Sequence, residues 1–234
     1  MKRIDVWRAS LDVEADTRSM FHQTLSPDEQ QRAARFYFER HRQRFVAGRG
    51  LLRHLLAHYL ELDPKKLVFA YNDFGRPSLH LPSREPPLHF NVAHSGALVL
   101  YAFSAARAVG VDVERVDPGV DYVEIAQRFF APRERQALAE LSGGIQAVAF
   151  FKGWTRKEAF IKAQGMGLSL PLDSFEVSLA PGEPARLIHT EDDDQEAQQW
   201  SLWDLAPAPG YAGALAVRAS GLAVTTWECD LTRL

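Results

Sequence analysis

The apolar residues of the segment Ala147–Gly165 recur with the period of an α-helix. At about 100° per residue, four side chains fall on one arc that should face the core: Ala147, Phe151, Trp154 and Ile161. Glu158 falls inside the same arc, and Lys162 lies one turn further along. A carboxylate within an apolar stripe costs free energy unless it meets a cation, a metal ion or a proton to transfer. The pattern therefore allows two interpretations: an i,i+4 ion pair on a partly buried helix, or a functional carboxylate.

The N-terminal half begins with a β-rich segment and continues as helix. Ile4–Val13 predicts a strand that runs into a loop. Ser26-Pro27-Asp28-Glu29 is typical of a helix start, because the serine can cap and the glutamate completes a capping box. We expect helix from there to about Leu60, with a break near Glu39–His41. Three strands should follow: Leu67–Tyr71, Leu88–Ala93 and Ala97–Ser104.

The C-terminal half repeats this layout of helix followed by strands. Tyr122–Leu141 predicts a helix with a break at Ala131-Pro132, and Gly165 should end the central helix as a C-cap. Five short β-prone segments follow: Phe175–Leu179, Arg186–His189, Gln199–Leu205, Ala212–Val217 and Val224–Cys229. Each half thus places a long amphipathic helix ahead of its strands, which predicts an α+β fold and is consistent with a duplicated unit.

Composition narrows the class of protein. The chain is 46% hydrophobic and 24% charged, as is typical of a soluble globular protein, and its net charge of −3 supplies no general basic field for nucleic acid or an anionic membrane. It contains neither a stretch long and apolar enough to span a membrane nor a signal-peptide core. The single cysteine, Cys229, excludes an internal disulfide and a cysteine-based metal site. We therefore expect a cytoplasmic protein without nucleic-acid or membrane partners.

Arginines are concentrated on the first long helix: Arg32, Arg35, Arg40, Arg42, Arg44, Arg49 and Arg53. No acidic residue lies between Arg40 and Leu60. A solvated helix face is one interpretation. Because the chain as a whole is acidic, this local positive charge also indicates an anion-binding site. A nucleic-acid-binding module is a further alternative, although no interleaved aromatic platform accompanies the arginines.

A second informative segment is Val109–Glu114. Residues two apart share a face of a strand, so the three valines point one way and Asp112 and Glu114 point the other. Neighbouring carboxylates repel each other unless a cation lies between them or one is protonated. Oxygen ligands suit Mg²⁺, which completes its coordination with water and substrate phosphates. The alternative is an edge strand with a solvated acidic face.

Together these features indicate a site for a polyphosphate substrate. Carboxylates can hold Mg²⁺, while lysine and arginine neutralise further phosphate charge. The chain contains neither a Walker A motif nor G-x-G-x-x-G, so side chains would have to supply the phosphate contacts. From the residues alone, the sequence predicts Mg²⁺-dependent chemistry on a phosphoanhydride.

Two motifs carry a resemblance to a known family: GVDVE at Gly110–Glu114 and WTRKEAFIK at Trp154–Lys162, about forty residues apart. In this order and spacing they resemble the signature of phosphopantetheinyl transferases, most closely the large monomeric type that activates nonribosomal peptide and polyketide synthases. Further segments are similar to the same family: Arg35–Arg44, Gly75-Arg76-Pro77, Phe90–Gly96 and Gly165–Leu172. The likeness extends over roughly Ser26–Val177.

This resemblance implies an α+β fold of two similar α/β-sandwich lobes with pseudo-twofold symmetry. Residues 1–108 would form an N-terminal lobe with the nucleotide-binding residues, and residues 109–234 a C-terminal lobe with the metal and catalytic residues. Coenzyme A would bind in the cleft between the lobes. Its phosphopantetheine arm would move to a serine hydroxyl of an apo acyl, peptidyl or aryl carrier protein, releasing adenosine 3′,5′-bisphosphate. We expect a monomer, since one chain supplies both lobes.

The resemblance also implies roles for individual residues. Asp112, Glu114 and Glu158 would hold Mg²⁺, or Mn²⁺ in its place, and Glu158 would accept the serine proton. Lys162 would contact the pyrophosphate and complete the catalytic pair with Glu158. Other residues would bind coenzyme A: Arg32, Arg44, Gly75, Arg76, Ala93, His94 and Lys157. Of these, Arg44, Arg76 and His94 would bind the nucleotide end with its 3′-phosphate.

Two positions depart from the family pattern. Ala93 replaces a serine that precedes the histidine, and Glu29 replaces a basic residue of the first helix. We expect weaker binding of coenzyme A with activity retained. The alternative is a non-catalytic relative that binds coenzyme A, against which the complete set of carboxylates and lysine argues.

Overall fold

The computed structural model describes residues 3–79, 87–165, 170–190 and 194–230. Its strands are β1 (Arg3–Ser10), β2 (Phe69–Tyr71), β3 (Pro77–Leu79), β4 (His89–Ser95), β5 (Leu98–Ser104), β6 (Val109–Arg115), β7 (Phe175–Val177), β8 (Leu187–Thr190), β9 (Ser201–Leu205), β10 (Tyr211–Val217) and β11 (Ala223–Glu228). Its helices are α1 (Ala15–His22), α2 (Pro27–Ala34), α3 (Glu39–Leu60), α4 (Tyr122–Phe129), α5 (Pro132–Ala139), α6 (Gly143–Gln164) and α7 (Asp194–Ala197). The α+β class predicted from the sequence is confirmed.

Two sheets with a shared strand order organise the chain. The first runs β11-β1-β5-β4 and the second β6-β10-β9. In the first sheet, β1 pairs antiparallel with β5, which also pairs with β4. In the second sheet, β6 pairs antiparallel with β10, which also pairs with β9. Helices α3 and α6, each of 22 residues, precede the two hairpins. Both halves therefore use the same sequence of elements.

The last strand crosses the boundary expected from the sequence. Strand β11 pairs in parallel with β1 and so extends the first sheet. The boundary expected between the two lobes, after residue 108, falls in the connection between β5 and β6. The division of the chain into these two lobes stays a prediction. The segment Ala223–Glu228, assigned to the C-terminal lobe from the sequence, lies instead on the first sheet, because β1 offers it a free edge.

Helix α2 begins as the sequence predicts, but the break after it comes earlier. The capping box is formed, and the amide of Ser26 donates to Glu29 Oε2 at 3.0 Å. Helix α2 ends at Ala34 and α3 begins at Glu39, so the break precedes the expected position. Three aromatic residues with exposed side chains occupy the connection: Phe36, Tyr37 and Phe38.

The arginines of α3 do not form one solvated face. Arg53 is buried, and its Nε donates to Glu29 Oε2 at 2.7 Å, while Nη1 donates to the carbonyl of Leu67. Arg49 Nε lies 3.4 Å from Glu29 Oε1. Glu29 therefore neutralises a buried arginine, which explains an acidic residue at a position where the family pattern has a basic one.

Helix α6 lies against β6 and β10 on one side and contacts α4, α5 and β7 on others. Phe151 and Ile161 are buried, as the arc of apolar residues predicts, but Arg156 and Lys157 on other faces are buried too. The close contact with β6 depends on Gly110. A Cβ at this position would lie 2.0 Å from the carbonyl oxygen of Ala159, so any larger residue would push the strand away from the helix.

The end of α6 also follows the prediction. Gly165 adopts φ +76° as the C-cap, a conformation that glycine adopts without strain. Residues 166–169, which belong to the family-like segment Gly165–Leu172, lie outside the described residues. Among the described residues, no helix is long and apolar enough to cross a membrane.

Candidate active site

The two sheets meet along strands β4 and β6. Asn91 on β4 accepts a hydrogen bond at 2.9 Å from the amide of Val111 on β6. At the end of the same strand, Ser95 Oγ donates to Glu114 Oε2 at 2.8 Å and accepts from the amide of Arg115 at 3.1 Å. These contacts between β4 and β6 form the seam of the two sheets, and they place the end of β4 beside the acidic face of β6.

Helix α6 brings a carboxylate and a lysine to that face. Asp112 is only 3% exposed, and its Oδ1 lies 2.5 Å from Lys162 Nζ. Glu158 lies one turn before Lys162 on α6 and is half-buried. The Gly110 contact fixes this approach of helix and strand, so the two motifs form one site.

Burial raises the pKa of Asp112, Glu114 and Glu158 above the ordinary carboxyl values. The charge of Asp112 raises the pKa of Glu114 and of Glu158 further, because like charges repel. Lys162 opposes this effect at all three carboxyls. Three partly desolvated carboxylates thus share the field of one ammonium group.

The donor set fits a divalent cation by charge and by chemistry. Among the described residues, no three His, Cys, Asp or Glu side chains stand close enough together to ligate a metal ion. Lys162 instead pairs with one oxygen of Asp112, while the buried Oδ2 has no hydrogen-bond partner in the described part of the chain. A divalent cation would satisfy both this oxygen and the surplus of buried negative charge.

A cavity of about 550 Å³ opens between α3 and the ends of β4 and β5. Several basic side chains line it: Arg32, Arg40, His41, Arg44, Arg49 and His94. Arg44 is held in a two-point ion pair with Asp12, through Nε at 2.7 Å and Nη2 at 2.8 Å. This hydrogen-bonded pair lowers the pKa of Asp12 and raises that of Arg44. Four arginines of the run thus line one cavity, whereas Arg53 is buried, and the anion-site interpretation of this cavity stays a prediction.

His94 lies between this cavity and the carboxylates. Partial burial lowers its pKa, and the charges of Lys162 and Arg44 lower it further. Both cations are therefore near enough to act on the imidazole. The result is a basic path that runs from Arg44 through His94 to Lys162.

A smaller cavity of about 290 Å³ adjoins the carboxylates and contains Gly75, Arg76, Glu158 and Lys162 among its lining residues. Arg76 is largely engaged with the main chain: Nη1 donates to the carbonyl of Lys162 at 2.7 Å, and Nη2 donates to that of Val109 at 3.2 Å. Arg76 thus satisfies a free carbonyl at the end of α6 and one on β6. It lies beside Glu158 and Lys162 in the smaller cavity, apart from the arginine-lined cavity.

Two residues expected to bind coenzyme A are placed elsewhere. Lys157 is fully buried, and its Nζ bonds to Glu134 Oε2 and to the carbonyls of Leu172 and Phe175. The prediction that Lys157 binds coenzyme A is wrong. Successive side chains of a helix point about 100° apart, and that of Lys157 faces the interior. Ala93 packs in the apolar core that includes Leu100, so at most its backbone can face the cleft.

The sequence interpretation missed Ser95 and Asp12, which hold Glu114 and Arg44, respectively. It also missed the ion pair in which Arg156 Nε donates to Asp204 Oδ1 at 2.8 Å. None of these pairs has a characteristic sequence spacing. Only for Ser95 does the sequence offer a signal, since it follows His94 directly within a family-like segment.

An arginine-lined cleft that leads to clustered carboxylates is the kind of site that binds a polyphosphate substrate. Comparison with known proteins identifies the class. The model of the 4′-phosphopantetheinyl transferase superfamily matches residues 108–216, and that of the 4′-phosphopantetheinyl transferase N-terminal region matches residues 12–106.

Individual relatives agree with these matches. The 4′-phosphopantetheinyl transferase HetI of Nostoc sp. is 40% identical over 225 residues, which cover 96% of this chain and 92% of HetI. The 4′-phosphopantetheinyl transferase Sfp of Bacillus subtilis is 36% identical over 159 residues, which cover 68% of each chain. The chain belongs to the 4′-phosphopantetheinyl transferase family. It is a transferase that moves the phosphopantetheine arm of coenzyme A to carrier proteins.

Proposed function

We propose that Asp112, Glu114 and Glu158 hold Mg²⁺ while the phosphopantetheine arm of coenzyme A is transferred to a serine of an apo carrier protein. The observation that carries this proposal is the unpartnered, buried Oδ2 of Asp112 beside two further carboxyls of raised pKa. When bound, the cation would neutralise charge on the pyrophosphate and on the leaving oxygen. The same oxygen ligands suit Mn²⁺.

Coenzyme A would extend along the basic path. Arg44 and His94 would bind the 3′-phosphate of its nucleotide, with Arg32 at the wall of the same cavity. The pyrophosphate and the arm would then reach the smaller cavity, where Gly75 and Lys162 line the wall. Arginine suits a phosphate because its planar fork donates two hydrogen bonds at once.

Glu158 would act as the general base. Its raised pKa brings a carboxylate closer to the acidity at which proton transfer is efficient. The carboxylate would take the proton of the carrier serine, directly or through a water. The serine oxygen then forms a bond to the phosphorus that bears pantetheine, and the bond from this phosphorus to the bridging oxygen breaks. Adenosine 3′,5′-bisphosphate leaves with the bridging oxygen.

Lys162 would donate to the pyrophosphate once a substrate is present. Its side chain is 29% exposed and lines the smaller cavity, so a phosphate oxygen can replace Asp112 as the partner of Nζ. The ammonium group would then stabilise the charge that develops on the leaving oxygen.

The proposed partners are apo acyl, peptidyl and aryl carrier proteins of peptide, polyketide or fatty-acid synthesis. We also propose that the protein acts as a monomer, because β4 and β6, which meet at the site, come from one chain. A cytoplasmic location is part of the same proposal. Light scattering of the purified protein would test the monomer.

The experiment that tests the function is the intact mass of an apo carrier protein after incubation with this protein, coenzyme A and Mg²⁺. We expect a gain equal to one phosphopantetheine arm, abolished by a chelator. A mass gain that persists in chelator would contradict the metal role. If several unrelated carriers stay unmodified while coenzyme A binds, the non-catalytic relative becomes the better description.

A further inference from the structure

Ser95 is the last residue of β4, and its side chain crosses from the first sheet to the second. The amide of Arg115 can only donate, so at 3.1 Å Ser95 Oγ accepts a hydrogen bond from it. The hydroxyl has one proton, which is then free for Glu114 Oε2 at 2.8 Å. The direction of each hydrogen bond is therefore determined. Both partners of Ser95 belong to β6.

The turn that follows Ser95 lies close to the second sheet. Gly96 follows it with φ +60°, and a Cβ on Gly96 would lie 3.1 Å from the hydroxyl oxygen of Tyr211. Tyr211 is the β10 residue opposite Arg115 in the second sheet. The turn thus lies against β10, while Ser95 Oγ is hydrogen-bonded to β6.

Glu114 needs such a fixed partner. It shares a face of β6 with Asp112, and the two carboxylates repel each other. Without a hydrogen bond, repulsion and solvation would turn the half-buried Glu114 side chain away from Asp112. The Ser95 hydroxyl holds one oxygen of Glu114 at the seam between the sheets, which restricts the rotation of the carboxylate.

We infer that Ser95 is a positioning residue that orients Glu114 for the divalent cation and links the end of β4, which bears His94, to the metal site. This inference rests on the metal role proposed for Glu114. Partners that orient metal ligands typically change metal affinity about 10- to 100-fold when they are removed. Ser95 itself would touch neither the cation nor the transferred group.

The test is Mn²⁺ binding, measured by electron paramagnetic resonance of the free ion, with and without equimolar coenzyme A. We expect Ser95→Ala to weaken Mn²⁺ binding about tenfold, and Ser95→Thr, which keeps the hydroxyl, to stay near wild type. Ser201→Ala is the control, because Ser201 Oγ also donates one hydrogen bond, at 2.7 Å to the carbonyl of Ala219, away from the carboxylates. It should leave Mn²⁺ binding unchanged.

Kinetics provide a second readout. If Ser95 acts through the metal ligand, excess Mg²⁺ should restore most of the kcat of Ser95→Ala, whereas a general loss of structure would lower kcat at every Mg²⁺ concentration. Wild-type Mn²⁺ affinity in Ser95→Ala would overturn the inference and leave the metal role of Glu114 standing. Wild-type Mn²⁺ affinity in Glu114→Ala would remove that metal role, and the inference with it.

Discussion

Lys162 Nζ lies 2.5 Å from Asp112 Oδ1, so an ammonium group already neutralises part of the negative charge that a divalent cation would meet at this buried carboxylate. The second oxygen, Oδ2, has no partner among the described residues. The lysine therefore acts as an internal counter-ion for Asp112. A metal ion and Lys162 should compete for this carboxylate until a phosphate draws the lysine away.

Removal of the Lys162 charge should tighten metal binding in the absence of coenzyme A. We expect Lys162→Gln to bind Mn²⁺ on the order of tenfold more tightly, about 1.4 kcal/mol, while its turnover falls because the pyrophosphate loses a cation. Calorimetric titration with Mn²⁺ measures the first effect. Lys152→Gln is the matched control, since Lys152 lies on the same helix and pairs with Asp204 at 3.1 Å. Unchanged or weaker Mn²⁺ binding in Lys162→Gln would refute the competition.

Glu158→Gln should reduce turnover far more than affinity for coenzyme A. A general base contributes roughly 10²- to 10⁴-fold, and an amide of nearly the same shape cannot take the proton. Because burial raises the pKa of Glu158, the wild-type rate should also fall on the acid side as this group becomes protonated. Single-turnover rates against pH, together with calorimetric affinities, test both effects. Equal losses of rate and of coenzyme A affinity would leave Glu158 as a binding residue only.

Arg44→Ala should weaken coenzyme A by about 10- to 100-fold, the range of a hydrogen bond to a charged group. The 3′-dephospho analogue should lose little, because it lacks the phosphate that Arg44 would bind. Asp12→Asn offers a comparison: it removes the charge that pairs with Arg44 but keeps the arginine. Competition binding of coenzyme A and its 3′-dephospho analogue to the wild type and the two variants gives six affinities. The same loss for the two nucleotides in Arg44→Ala would place the 3′-phosphate elsewhere.

Gly110→Ala should destabilise the protein by about 3 kcal/mol or more, because its Cβ would overlap the main chain of α6. Gly144→Ala is the control: no atom lies within 4 Å of its added Cβ. Because Gly144 is the second residue of α6, that change should leave the free energy of unfolding unchanged or raise it by at most roughly 0.5–1 kcal/mol, the value for a helix interior. Urea denaturation measures both free energies of unfolding. A Gly110→Ala protein of wild-type stability would mean that strand and helix can separate without cost.

The stability of the protein should decrease as the pH falls below the ordinary histidine pKa of 6.5. Burial lowers the pKa of His54, whose Nε2 has no hydrogen-bond partner in the described part of the chain. The unfolded state therefore binds a proton at a higher pH than the folded state, and the stabilisation present above 6.5 is lost toward the lower folded value. His54→Leu should flatten the dependence of the unfolding free energy on pH between about 7.5 and 5.5. An identical slope in the variant would contradict this account.

Local patterns were sufficient for much of the fold and for the relative placement of the residues within each of the two motifs. The helix period placed Glu158 and Lys162 one turn apart, and strand alternation placed Asp112 and Glu114 on one face. The Ser26–Glu29 capping box and the Gly165 C-cap also form as predicted. Each of these features depends on interactions within a few residues, which is why sequence alone could predict them.

Burial of charge was not predictable in the same way. Arg53 and Lys157 look like ordinary basic residues of amphipathic helices, yet both are buried against acidic partners distant in sequence. Whether a charge is solvated, paired or free to bind a ligand depends on what packs over it. For this reason the sequence pattern cannot separate Arg53 from the arginines that line the cavity, and a family resemblance cannot show that Lys157 is buried.

The sequence by itself therefore determined most of the helices and strands, the family, and the residues to which the chemistry is proposed to belong. The tertiary structure decided which cations stay free for an anion, that the last strand returns to β1, and that Ser95 reaches Glu114 across the seam of the two sheets. These relationships join segments that are far apart in the chain. Their energies come from burial and from long-range pairing, and neither has a local signature in the sequence.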